Sequence, residues 1–241
     1  MQLTGKTAVV TGGGTGIGAA VAVSLAKEGC RVIICGRREE PLQAVLDAYD
    51  GEMLLRTCDV ANRDDVNSFF AWATEQLGQI DILVQSAGIN VPKRSSEDLS
   101  PEDWDRIMSV NATGAYNCLA AVLPGMRARR DGLVVNISSV AGIRASPLGG
   151  LAYAASKFAM SALGLTVGLE VKDDGVRISN VYPGEVETPI LDNRPVPVSA
   201  EHRAKILQPE DVAAAVHLIA CLPPRAHIPE LTITPTTQGF C

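Results

Sequence analysis

Aromatic residues make up only 4% of this 241-residue chain, and histidine occurs three times. So few aromatics, with alanine, valine, leucine and glycine dominant, predict a core of small and aliphatic side chains in which helices lie close on a sheet. His202, His217 and His227 stand at no metal-ligand spacing, so no metal site is predicted. The cysteines Cys30, Cys35, Cys58, Cys118, Cys221 and Cys241 form no CxxC pair, and they read as reduced, mostly buried thiols. Cys241, the last residue, is the one expected to react. No apolar run approaches the ~18 residues that span a bilayer, so no membrane association is predicted. One early lysine followed directly by a strand reads as no signal peptide, and the expected location is the cytoplasm. A net charge of −6 argues against nucleic acid as a partner; the local exception is Arg127, Arg129 and Arg130.

What is present alternates between strand and helix. Strands are expected at Lys6–Thr11, Arg31–Gly36, Met53–Asp59, Ile80–Ser86, Leu133–Ser138 and Val176–Tyr182, with a last one at Glu230–Thr234. Helices are expected at Gly16–Glu28, Glu39–Tyr49, Asp64–Leu77, Glu102–Arg129, Ala152–Lys172 and Glu210–Cys221. Strands separated by helices imply an α/β fold: a doubly wound parallel sheet covered on both faces. The connections leave no room for a second domain, so residues 1–241 read as one domain with a short substrate loop near 186–208. No internal repeat or low-complexity segment is present.

Gly12, Gly14, Gly16 and Gly18 fall between the first strand and the first helix. Glycines there let the backbone turn tightly and approach a pyrophosphate, which meets the free N–H groups of the helix start. Two decoys drop out. Gly5-Lys6-Thr7 has no room upstream for the rest of a P-loop, and the sequons at Asn111 and Asn136 fall in core elements. The second strand ends in Cys35-Gly36-Arg37-Arg38, where an NAD site usually carries an Asp or Glu for the ribose 2′-hydroxyl. Two guanidiniums attract a 2′-phosphate instead, so NADP is expected ahead of NAD. Plain surface charge is the other reading of Arg37 and Arg38.

Tyr153 and Lys157 are four residues apart in a helical stretch and share a face. A free phenol ionises near pH ~10, and a neighbouring cation pulls that value toward neutrality. Such a tyrosine can exchange a proton with a substrate oxygen.

Taken together, these residues resemble the short-chain dehydrogenase/reductase family over nearly the whole chain. The motifs are Thr11-Gly12-x-x-x-Gly16-Ile17-Gly18, Cys58-Asp59-Val60, Gln85-Ser86-Ala87-Gly88, Asn111, Ser139, Tyr153-x-x-x-Lys157 and Pro183-Gly184-x-x-x-Thr188. Ser86 departs from the pattern, which has Asn there. The resemblance implies a Rossmann fold and hydride transfer between a nicotinamide and a carbonyl or alcohol carbon. It implies Tyr153 as acid/base, Ser139 as holder of the carbonyl oxygen, and Asn111 as holder of a water that links Lys157 to solvent. Lys157 would lower the Tyr153 pKa and bond the nicotinamide ribose. Ser138 competes with Ser139 for the serine role. The implied cofactor contacts are Gly12, Gly14, Thr15, Gly16, Ile17, Gly18, Arg37, Arg38, Asp59, Val60, Ser86, Ala87, Gly88, Tyr153, Lys157, Pro183, Gly184, Val186 and Thr188.

For the substrate, Arg144 is the first candidate to meet a carboxylate, with Lys93, Arg94 and Arg194 behind it; an exposed loop charge is the alternative for Arg144. The tail Pro229–Gln238, with Gly36-Arg37-Arg38 and Ala121-Val122-Leu123-Pro124-Gly125-Met126, resembles the NADP-dependent branch acting on small 3-hydroxy acids. The runner-up is a 3-oxoacyl-[acyl-carrier] reductase, with Arg127, Arg129 and Arg130 docking an acidic carrier. A non-catalytic NADP-binding sensor is the reading from another class. The resemblance also implies a homotetramer, packed through small residues such as Ala115, Ala120, Ala121, Ala159, Ala162, Gly164 and Gly168.

Overall fold

The computed structural model describes residues 3–239, so Cys241 lies outside the described residues. The strands are β1 (Thr7–Thr11), β2 (Arg31–Gly36), β3 (Met53–Thr57), β4 (Ile82–Gln85), β5 (Gly132–Ile137), β6 (Val176–Pro183) and β7 (Glu230–Ile233). All pair in parallel, in the order β3-β2-β1-β4-β5-β6-β7. The apolar runs are buried on both faces because neighbouring residues point opposite ways. Val9, Ile33, Leu83 and Val134 line one face. Val10, Ile34, Val84 and Val135 line the other.

Helices α1 (Gly16–Lys27), α2 (Glu39–Ala48) and α8 (Pro209–Ala220) cover the Val10 face. Helices α3 (Arg63–Leu77), α5 (Gly114–Arg129) and α6 (Leu151–Val171) cover the Val9 face. Local chemistry sets their ends. Asn62 accepts from the N–H groups of Asp64 and Asp65 at the start of α3, and Gly78 at φ +82° ends it. Gln208 and Asp211 form a reciprocal cap ahead of Pro209.

The long helix expected over Glu102–Arg129 is interrupted. Helix α4 (Pro101–Met108) leads into a π-helical turn at Ser109–Thr113 before α5 begins. One extra residue per turn re-aims the side chains there, and such bulges gather at functional sites. Asn111 sits inside it. The segment after Pro183 is also more ordered than expected. It holds a 3₁₀ turn at Pro189–Asn193 and a short helix, α7 (Ala200–Arg203). Arg203 ties it together with ion pairs to Glu187 at 2.6 Å and Asp192 at 2.7 Å.

The chain runs outward from β1 to β3, then returns to the other side of β1 with β4. A crevice must open beyond the carboxyl ends of β1 and β4, where the order reverses. Gly12 lies there at φ +66°, and a Cβ on it would stand 2.7 Å from the Ala87 nitrogen. Only glycine lets the two connections come that close.

Candidate active site

A groove of about 460 Å³ runs along the carboxyl edge, lined by Gly12, Thr15, Gly16, Ser86, Gly88, Tyr153, Lys157 and Thr188, with Arg37 and Arg38 at one end. A side cleft with Asp59, Val60 and Ala87 adjoins that end. At the other end the groove meets a cavity of about 160 Å³ lined by Ser139, Tyr153, Pro183, Gly184 and Val186. Ile17, Tyr153 and Thr188 border both spaces. Most of the residues singled out in the sequence therefore converge.

Gly14, Gly18 and Asn111 do not line the groove. Gly14 turns the other way, against Pro41 and Leu42. Gly18 lies beneath the loop, where a Cβ would meet the Gly12 carbonyl oxygen at 2.2 Å. Asn111 is fully buried; its side chain accepts from the Ile89 N–H at 2.8 Å and donates to the Ile89 carbonyl and the Ser156 hydroxyl, both at 3.0 Å. It braces the connection after β4. Pro183, Gly184 and Val186 wall the small cavity rather than the groove.

The groove suits a dinucleotide. Thr15 precedes α1 without capping it through its side chain, so the first-turn N–H groups of α1 are left for a ligand. Arg37 and Arg38 are exposed at the end of β2, and among the described residues neither forms an ion pair.

The two serines separate by their partners. The Ser138 hydroxyl is buried and donates to the Lys157 carbonyl at 3.2 Å, beside the Ser161 hydroxyl at 3.0 Å. The Ser139 hydroxyl accepts from the Ala141 N–H at 3.1 Å, and Ser139 lines the small cavity together with Tyr153. Both serines line the small cavity, but the Ser138 hydroxyl is taken up by α6.

Lys157 departs from its expected effect. Its ammonium donates to the Ile137 carbonyl at 2.8 Å, with the Nζ atom 5.7 Å from the centre of the Tyr153 ring. Burial brings its pKa from 10.5 down to about 8. The Tyr153 phenol is held above its ordinary value by burial, opposed by the Ser139 hydrogen bond and the positive charge of Arg94.

Arg144 is exposed, donates to the Ile143 carbonyl at 3.0 Å and lines neither space. Arg94 and Arg194 reach the small cavity instead. The sequence reading also missed an amide ladder across the sheet. Gln85 donates to Asn136 at 3.0 Å, Asn136 to Asn180 at 2.8 Å, and Asn180 to the Ser161 carbonyl at 3.0 Å. It lies one residue before Ser86 and braces β4, β5 and β6 to α6. Polar residues at the ends of predicted buried strands were the available signal. Gln238, missed too, accepts from the Glu185 N–H at 3.0 Å and helps to line the cavity.

The fold and site define a nucleotide-dependent enzyme of the doubly wound class. The family model for short chain dehydrogenases matches residues 6–196. The chain belongs to that family and is an oxidoreductase acting on CH–OH groups. It is 38% identical over 244 residues to glycine betaine reductase ATRR of Emericella nidulans, covering 98% of this chain but only 19% of that protein. An uncharacterized oxidoreductase of Listeria innocua, Lin0452, is 30% identical over 250 residues, the full length of both chains. Among solved structures, the closed form of a serine dehydrogenase complexed with NADP⁺ superposes with a TM-score of 0.88 at 30% identity, covering 97% of this chain and 96% of that one.

Proposed function

We propose that this chain is an NADP-dependent dehydrogenase/reductase that interconverts the ketone and alcohol of a small 3-oxo/3-hydroxy acid. The observation that carries the reading is the place of Tyr153, at the junction of the long groove and the small cavity that Ser139 also lines. NADP, when bound, supplies or accepts the hydride. Arg37 and Arg38 hold the 2′-phosphate, and the uncapped first turn of α1 meets the pyrophosphate. Ser139 donates to the substrate carbonyl oxygen, and Tyr153 gives that oxygen its proton; in oxidation Tyr153 takes the proton back. Lys157, with Gly88 beside its ammonium, faces the groove where the nicotinamide ribose would lie. A cavity of about 160 Å³ favours a short substrate; sites for drug-sized ligands start at roughly 300 Å³.

The carrier-linked 3-oxoacyl alternative has less support. Arg127 pairs with Asp174 at 2.7 Å and Glu170 at 3.6 Å. Arg129 donates to the Ile80 carbonyl at 2.9 Å and Arg130 to the Asp173 carbonyl at 2.5 Å. These cations are spent within the molecule. A homotetramer fits the exposed apolar residues Tyr116 on α5 and Phe158, Leu165 and Leu169 on α6. The small residues divide: Ala115 and Gly164 are buried in the protein's own packing, while Ala120 and Ala162 are exposed. Among the described residues no helix is long and apolar enough to cross a membrane. The free thiols Cys30, Cys35, Cys58, Cys118 and Cys221 fit a cytoplasmic setting.

The test is a screen of short 3-hydroxy acids with NADP⁺, read by NADPH absorbance, on wild type and Tyr153→Phe. Turnover should fall about 10³-fold in the variant, with NADPH binding by fluorescence unchanged. A variant that keeps its rate would remove Tyr153 from the proton transfer.

A further inference from the structure

We propose that Arg94 is the anion anchor of the small cavity, gripping the substrate carboxylate beside Tyr153. The proposal rests on the reading of Tyr153 given above and names how that site recognises an acid. Lys93 and Arg94 are neighbours in the connection after β4, yet Lys93 is exposed and Arg94 only 8% exposed. Helix α6, which carries Tyr153, starts directly on Arg94: the Leu151 N–H donates to the Arg94 carbonyl at 3.2 Å. Gly150, at φ +82°, makes that approach possible, because a Cβ there would stand 2.6 Å from the Arg94 Cβ.

The guanidinium is incompletely used. One terminal nitrogen donates to the Leu148 carbonyl at 3.2 Å and the other to the Asn193 carbonyl. The Nε–H is buried without a partner. Among the described residues no carboxylate forms an ion pair with Arg94. Arg194 lines the same cavity, but Glu185 neutralises it at 3.3 Å. Glu185 in turn is held by His202 at 2.6 Å. Arg94 is therefore the uncompensated cation of the cavity. Guanidinium does not shed its proton, and a buried charge without a counter-charge is costly. Carbonyl contacts soften that cost but carry no net negative charge. A substrate carboxylate in the cavity supplies the missing charge.

Acetoacetate and its methyl ester share a ketone and differ in the carboxylate, so they separate anchoring from chemistry. Both are reduced with NADPH by wild type, Arg94→Gln and Arg94→Lys, with NADPH binding as the check on folding. Arg94→Gln should lose about 100-fold in kcat/KM on acetoacetate and less than about threefold on the ester. Arg94→Lys should recover part of the loss, since it keeps the charge without the fork. Equal losses on both compounds would make Arg94 a staple for Leu148 and Asn193 and overturn the anchor, as would an undiminished preference for the acid. Should Arg94→Gln not fold, Arg94→Lys decides: the acid must lose more than the ester. Calorimetric titration of acetoacetate into NADP⁺-loaded protein keeps the two proposals apart. Acetoacetate binding that Arg94→Gln abolishes, without turnover of either compound by wild type, supports the anchor and sinks the oxidoreductase reading of the cavity. Turnover of the ester without acetoacetate binding does the reverse.

Discussion

At one end of the groove Arg37 and Arg38 stand in solvent, while at the other Arg94 is 8% exposed against the start of α6. The exposed pair costs nothing to keep charged, and its attraction for a phosphate is screened by salt. The buried one is held at a cost, and its attraction for an anion is only weakly screened. The cofactor end reads charge from outside. The substrate end reads it from inside a small cavity, where a misplaced charge cannot be solvated. Affinity at the first end should be tunable by surface substitution; selectivity at the second depends on packing around Gly150, Leu148 and Asn193.

Lys157 faces the groove beside Tyr153, near the seam between the two ends, and tests the contrast most severely. Replacing it by Met should abolish turnover and remove a buried cation. Below about pH 8 folded and unfolded chains both carry the Lys157 proton, so this residue adds no pH dependence there. Between about 8 and 10.5 the unfolded chain binds the proton more tightly, so wild type should gain stability over Lys157→Met as pH rises. The full gain is up to about 3 kcal/mol, read by denaturant unfolding across that range; a flat difference would mean that Lys157 is not buried as described. Next comes Arg37→Ser with Arg38→Ser. NADPH affinity should weaken about 100-fold with NADH little changed, and added salt should weaken NADPH binding to wild type but not acetoacetate binding. Equal wild-type affinity for NADH and NADPH would break the comparison at its cofactor end. The smallest effect is expected of Arg144→Ala, with kcat/KM on 3-hydroxy acids within about twofold of wild type. A larger loss would move the anchor back to the loop after Ser139.

The sheet was legible because each strand is a short apolar run between turn residues, and the glycine loop because its spacing sits at a strand-to-helix junction. Tyr153, Lys157 and Ser139 were marked by order and spacing, and the fold brings them to one groove and its adjoining cavity. Three things were not. The π turn around Asn111 leaves helical periodicity nearly intact, so Glu102–Arg129 read as one regular helix. The choice among Lys93, Arg94, Arg144 and Arg194 depends on contacts such as Arg94 with Leu148, 54 residues away, which no local pattern encodes. The direction of the Tyr153 shift was misjudged because i,i+4 spacing gives proximity but not burial. The Lys157 ammonium turns to the Ile137 carbonyl, and the apolar surroundings outweigh the charge that remains.

The π turn also acts on phase. Each residue of an α-helix advances the chain by about 100°, so one added residue rotates everything after it by that angle. Before the turn, α4 buries Ile107 against Val91 and Ala152. After it, α5 buries Cys118, Leu119, Val122 and Met126 in the sheet-side core with α3. A single rod thus serves two partners that lie in different directions, and Asn111 occupies the joint where its heading changes. Removing one residue from Ser109–Thr113 would leave a smoother helix and a mis-set one: α5 would keep its length and present the wrong stripe to the sheet.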